Sequence, residues 1–129
     1  SMVLQLAQQI LEGKKPKLFI GSEKIFRDFV HVNDVISANL LAARCAYNGV
    51  YNVGTGKSRS FKEIVDILQG ELGTERSIEY IPNPYKGYQD DTRACTKSSC
   101  QFLQYKSVLS LEEGIAAFIP YILKSHKTD

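Results

Sequence analysis

The chain has 129 residues, 43% of them hydrophobic and 23% charged, the balance of one modest globular unit. Its formal net charge of +2 is small and its Lys and Arg are scattered, which argues against a nucleic-acid partner. The apolar run from Ile115 to Leu123 is far too short to span a bilayer, so no membrane partner is expected.

In chain order the pattern alternates helix and strand. Residues 2–12 set Val3, Leu6, Ala7 and Ile10 on one helical face, and Gly13 follows as a stop signal. Pro16 opens a short strand, KLFIG, and FVHV (29–32) reads as a second. Asn33 and Asp34 can start a helix running to about Ala46, with Val35, Ala38, Leu41 and Ala42 inward. Asn48-Gly49 is a turn signal, and GVYNV (49–53) reads as a third strand. Ser60 and Glu63 have capping-box spacing ahead of Phe61, Ile64, Val65 and Leu68, in a helix that ends near Gly73. SIEYI (77–81) is a fourth strand, and residues 82–93 form a polar loop with two prolines. A short helix over 96–103 precedes a second capping box, Ser110 and Glu113, which starts the last helix. Pro120 should kink that helix or end its regular part, and residues 125–129 should fray.

Cys45, Cys95 and Cys100 are odd in number and include no C-x-x-C, which points to a reducing compartment. His31 and His126 lie too far apart to complete a zinc motif, so no metal is expected. The segment VGTGKSRS (53–60) invites a nucleotide reading, but its spacing fails. A phosphate loop ending at Gly56-Lys57-Ser58 needs its first glycine at Tyr51, and a dinucleotide fingerprint from Gly54 and Gly56 needs its third at Arg59. The favoured reading is a tight connection in which glycine supplies positive φ and close packing.

Residues 19–34, FIGSEKIFRDFVHVND, followed by YNVGTG (51–56), resemble the C-terminal part of the extended short-chain dehydrogenase/reductase family. That family includes nucleotide-sugar epimerases and dehydratases. The loop IPNPYKGYQDDTRA (81–94) is similar to that of its ADP-heptose epimerase branch, through Lys86-Gly87-Tyr88-Gln89 and Thr92. The resemblance covers nearly the whole chain but only the later part of a family enzyme. It implies an α/β fold: the C-terminal substrate-binding part of a Rossmann-type enzyme, lacking most of the cofactor-binding sheet. Residues 1–129 would be a single incomplete unit, with about 28–56 packing on the absent cofactor domain. The helix that opens the chain fits that expectation.

The resemblance also implies the chemistry. The parent would be a bacterial, cytoplasmic, homo-oligomeric isomerase that inverts ADP-heptose for lipopolysaccharide core synthesis, by oxidation to a ketone and reduction from the other face. Its cofactor, NADP, would be bound by the absent N-terminal part. None of the seven tyrosines is followed four residues later by lysine, so the family's Tyr-x-x-x-Lys pair is absent, no catalytic residue is expected here, and the chain alone should be inactive. Substrate contacts are implied for Phe19, Ile20, Gly21, Ser22, Arg27 and Tyr88. The residue types agree: Arg27 can give forked, charge-assisted hydrogen bonds to a diphosphate. Gly21 permits close backbone approach, and Ser22 carries a hydroxyl. Ile20 offers backbone and apolar bulk, while Phe19 and Tyr88 offer aromatic faces. The bland alternatives are a surface ion pair from Arg27 to Asp28 or Glu23, and a core position for Phe19. At Gln5 relatives often have histidine. Two other functions stay open: a different nucleotide-sugar epimerase or dehydratase, and a standalone non-catalytic nucleotide-binding module. Without a cofactor domain the 28–56 region, with Val35, Leu41, Val50 and Val53, would expose apolar surface and lead to dimers, exchange of elements or poor order over 28–56.

Overall fold

The computed structural model describes residues 1–126. Five helices frame it: α1 (Met2–Leu11), α2 (Val32–Ala43), α3 (Phe61–Leu72), α4 (Lys97–Leu103) and α5 (Leu111–His126). Four strands of three residues each pair two by two. β1 (Lys17–Phe19) lies parallel to β4 (Glu79–Ile81), and β2 (Phe26–Asp28) lies antiparallel to β3 (Ser58–Ser60).

The main core forms where α1, α3 and α5 meet. Each brings apolar residues spaced three or four apart: Leu6, Ala7 and Ile10; Ile64, Val65 and Leu68; Ile115, Ile119 and Ile122. Leu18, Ile25 and Phe61 close it from the strand side. Both capping boxes form. Glu63 N donates to Ser60 Oγ at 3.2 Å while Ser60 N donates to Glu63 Oε2 at 2.6 Å. Glu113 N donates to Ser110 Oγ at 3.2 Å while Ser110 N donates to Glu113 Oε2 at 2.8 Å. Arg59, on β3, ties the two helix starts together, with Nε on Glu63 at 2.8 Å and Nη2 on Glu112 at 2.5 Å. These hydrogen bonds, Glu112's first, raise its pKa further.

A smaller cluster joins α2 to α4: Ala38, Leu103 and Tyr105, with Leu41, Cys45, Tyr51 and Val53 against it. Asp34 is buried beneath α2, where its carboxylate accepts from Ser107 Oγ at 2.8 Å and from the amides of Val108 and Leu109 at 3.3 Å.

Several boundaries differ from the sequence expectations. FVHV is not a strand: the strand is Phe26–Asp28, set by pairing with Ser58–Ser60, and Val32 already belongs to α2. The His31 ring, rather than Asn33 or Asp34, caps that helix, its Nδ1 accepting from Asn33 N at 3.2 Å. The helix stops at Ala43, and Ala42 faces out. GVYNV pairs with no strand among the described residues. It is held by side chains instead: Ser99 Oγ donates to the Asn52 carbonyl, and Asn52 Nδ2 donates to Cys95 O. KLFIG ends at Phe19 because Gly21 turns the chain with φ +84°. SIEYI begins pairing only at Glu79. Pro120 sits inside α5 without ending it, and Ser125 and His126 are still helical. The rest of the expected frayed end, 127–129, lies outside the described residues.

Candidate functional site

The loop 82–94 hangs between the two small sheets. Ile20 N bonds to Ile81 O at 2.8 Å where the loop begins. Further along, Phe26 N bonds to Asp90 O at 2.7 Å and Thr92 N bonds to Phe26 O at 3.1 Å. The loop therefore returns alongside β2 and sets Tyr85 to Gln89 above Phe19 and Arg27. Phe19 packs edge-on against Tyr85 and Tyr88, at 6.1 and 6.0 Å between ring centres, and the two tyrosines stack 6.3 Å apart. Such geometries suit aromatic pairs. The Arg27 guanidinium lies 4.9 Å from the centre of the Tyr88 ring.

Arg27 does not form the ion pair with Asp28 or Glu23 that a surface arginine would. Its Nη1 donates to Phe26 O at 2.8 Å and its Nη2 to Gln89 O at 2.6 Å. Two neutral carbonyls orient the fork and leave its charge unneutralised by any ion pair among the described residues. A guanidinium has five N–H donors, so three remain for an anion. Beside it lies a shallow depression of about 370 Å³, lined by Arg27, Tyr85, Lys86, Gly87, Tyr88 and Gln89.

Asp28 faces the other way, into the glycine loop. Its Oδ1 accepts from Thr55 N at 2.9 Å and Thr55 Oγ1 at 2.5 Å. Its Oδ2 accepts from Gly56 N at 2.8 Å and Ala94 N at 3.1 Å. Burial, the largest influence, pushes this carboxyl up; the bonds from Thr55, Ala94 and Gly56 together outweigh it, so it titrates below the ordinary aspartate range. Gly54 fits only as glycine: a Cβ there would come within 2.6 Å of Ala94 Cβ and 2.7 Å of Asp28 Oδ2. Gly56 has φ +72°.

Of the six expected substrate contacts, Arg27 and Tyr88 line this depression, and Phe19 stands outside its lining, packed against the rings of Tyr85 and Tyr88. Ile20 is exposed at the end of β1, and Gly21 follows it in the left-handed turn. Ser22 stands apart, fully buried, with a hydroxyl that has no hydrogen-bond partner among the described residues. Gln5 is exposed on α1. Tyr85 was missed by the sequence reading, although two tyrosines bracketing Lys-Gly were a signal for it. So was the role of Asp28, because nothing local in RDF says which way its carboxylate turns.

The family model described as GDP-mannose 4,6 dehydratase matches residues 1–116. The chain belongs to the extended short-chain dehydrogenase/reductase family. Solved structures of the family agree. The Helicobacter pylori ADP-L-glycero-D-manno-heptose-6-epimerase is 41% identical, with a TM-score of 0.86 over 95% of this chain and 38% of its own. The Thermotoga maritima UDP-glucose 4-epimerase, solved with UDP-glucose, is 29% identical, with a TM-score of 0.89 over 97% and 40%. A Bacillus cereus UDP-glucuronic acid 4-epimerase, solved with UDP-4-deoxy-4-fluoro-glucuronic acid and NAD, is 25% identical, with a TM-score of 0.88 over 97% and 40%. The chain thus spans about two fifths of the length of the family structures it matches, and its mixed α/β fold is a partial domain of theirs.

Proposed function

We propose that this chain is the ADP-sugar-binding part of an NADP-dependent epimerase that converts ADP-D-glycero-D-manno-heptose to ADP-L-glycero-D-manno-heptose. The observation that carries the reading is Arg27, held by two carbonyls beside Tyr85 and Tyr88 with no ion pair among the described residues. A cation next to aromatic faces suits a nucleoside diphosphate: the fork takes the phosphates and the rings take the base or ribose. The identity with the Helicobacter enzyme favours an ADP-heptose over a UDP-sugar. In this reading the product feeds lipopolysaccharide core synthesis in the bacterial cytoplasm.

NADP does not fit the glycine loop of this chain. The amides of Thr55 and Gly56, which a dinucleotide phosphate would need, already donate to Asp28. In this proposal the cofactor and the catalytic pair are supplied by the part of the family enzyme that this chain does not span, and the chain alone is inactive. Titration of ADP-ribose and of UDP-glucose into this chain, followed by calorimetry, tests the binding claim. ADP-ribose should bind the more tightly of the two. Preference for UDP-glucose would favour another nucleotide-sugar enzyme, and binding of neither would sink the substrate reading.

Residues 28–56 pack on that part in the same proposal. Val32, Ile36 and Leu40 form an outward stripe on α2, at 60%, 50% and 58% exposure, and Val50 is 95% exposed. A largely apolar hollow of about 350 Å³, with Phe29, Val30, Val32, Leu111, Ile115 and Phe118 among its walls, lies beside the start of α2. The expected face shifts accordingly: Leu41 and Val53 are half-buried against the small cluster, while Ile36 and Leu40 take the outward positions. A surface of this kind promotes self-association. Light scattering of the chain should report dimers or larger species, and Leu40→Glu should shift them toward monomer. A monodisperse wild-type monomer would count against the uncovered-face proposal.

A further inference from the structure

We infer that Asp28 is a positioning residue for the nucleotide-sugar site, holding the loop that orients Arg27; this inference rests on the ADP-sugar reading above. Three stretches distant in sequence meet at its carboxylate: its own strand β2, the glycine loop at Thr55 and Gly56, and Ala94 at the end of the 82–94 loop. Arg27 is the preceding residue on the same strand, and its Nη2 donates to the Gln89 carbonyl of that loop. The loop's position therefore decides where the guanidinium and the Tyr88 ring stand. Backbone bonds from Phe26 hold Asp90 and Thr92, and Ser58 Oγ holds Thr92 O at 3.3 Å. Beyond Thr92, the Asp28–Ala94 bond locks the loop's end to the glycine loop. Gly54 shows how tightly the junction closes, since even a methyl group there meets both Asp28 and Ala94.

The carboxylate matters here because it accepts four bonds, two on each oxygen. An amide of the same shape has one accepting oxygen, so Asp28→Asn strands one pair of donors, either on Thr55 or on Gly56 and Ala94. Buried donors left without a partner are costly, and the junction relaxes to satisfy them.

A double-mutant cycle tests this, with ADP-ribose as the probe and the full chain as the protein. Asp28→Asn should weaken binding by about tenfold. In an Arg27→Ala background the same change should cost almost nothing, because the residue it positions is gone. A general loosening of the fold would weaken both backgrounds alike, and that result overturns the inference. Wild-type affinity in Asp28→Asn, with binding lost in Arg27→Ala, also overturns it while leaving the substrate reading intact. Wild-type affinity in Arg27→Ala instead brings down the substrate reading itself. Should Asp28→Asn fail to fold, Thr55→Val removes a single donor to the same carboxylate. It should weaken binding by about threefold, with the same dependence on Arg27, and an unchanged affinity would refute the positioning role.

Discussion

Arg27→Ala is expected to weaken ADP-ribose binding by about 10- to 100-fold, the range that one or more charge-assisted hydrogen bonds spans. The geometry explains why the loss should be large. The guanidinium is already oriented by Phe26 O and Gln89 O, so little side-chain freedom remains to be lost when a diphosphate arrives. It lies 4.9 Å from the centre of the Tyr88 ring and 5.8 Å from that of Phe61, and these apolar faces screen it from water and strengthen its charge. No acidic side chain among the described residues forms an ion pair with it, so binding an anion breaks no existing salt bridge. Arg27→Lys separates charge from fork geometry. Lysine keeps the charge but cannot hold Gln89 O and Phe26 O while donating twice to a phosphate. It should fall between wild type and alanine. Equal affinity of the arginine and lysine forms would mean that charge alone is read. Wild-type affinity of the alanine form would remove Arg27 from the site.

Much of the scaffold was legible because it is local. α1, α3 and α5 carry their apolar residues at helical spacing, and both capping boxes are written in four consecutive residues each. The short strands were less legible, because a strand of three residues is defined by its partner. FRD (26–28) pairs with SRS (58–60) across 29 intervening residues, and neither run alternates apolar with polar. GVYNV has the composition of a strand but no partner among the described residues, so composition alone misled. In the glycine loop, Gly54 and Gly56 supply the close packing and positive φ that a tight connection needs, yet the group that fills it could not be seen. Asp28, considered as a surface partner for Arg27, turned out to be the anion inside the loop. That distinction concerns which side of β2 each residue faces. It follows from alternation along the strand once the strand is placed three residues earlier than FVHV. Tyr85 needed the tertiary structure as well: only the return of the loop beside β2 brings it over Phe19.

The division of the interior into two clusters has a thermodynamic consequence. Ile64 has no exposed surface and sits at the centre of the larger cluster, where α3 meets α1 and α5. Ile64→Ala should destabilise the chain by about 2–5 kcal/mol, because the three helices around it cannot all close on the vacated space. That is a large share of the stability available to a domain of this size. Leu103, 4% exposed, belongs to a cluster of only three buried residues, backed by half-buried neighbours on α2 and the 51–53 segment. Leu103→Ala should cost less overall and act mainly on that region, since the residues packed against it, Leu41, Cys45, Tyr51 and Val53, are themselves only half-buried. Urea unfolding followed by far-ultraviolet circular dichroism measures the first effect. Amide exchange in α2 and α4 measures the second. Loss of less than about 1 kcal/mol in Ile64→Ala would mean that the core closes over the gap more easily than close packing allows. An equal global cost for both substitutions would mean that the two clusters unfold as one, and that α2 is held by more than the small patch it buries.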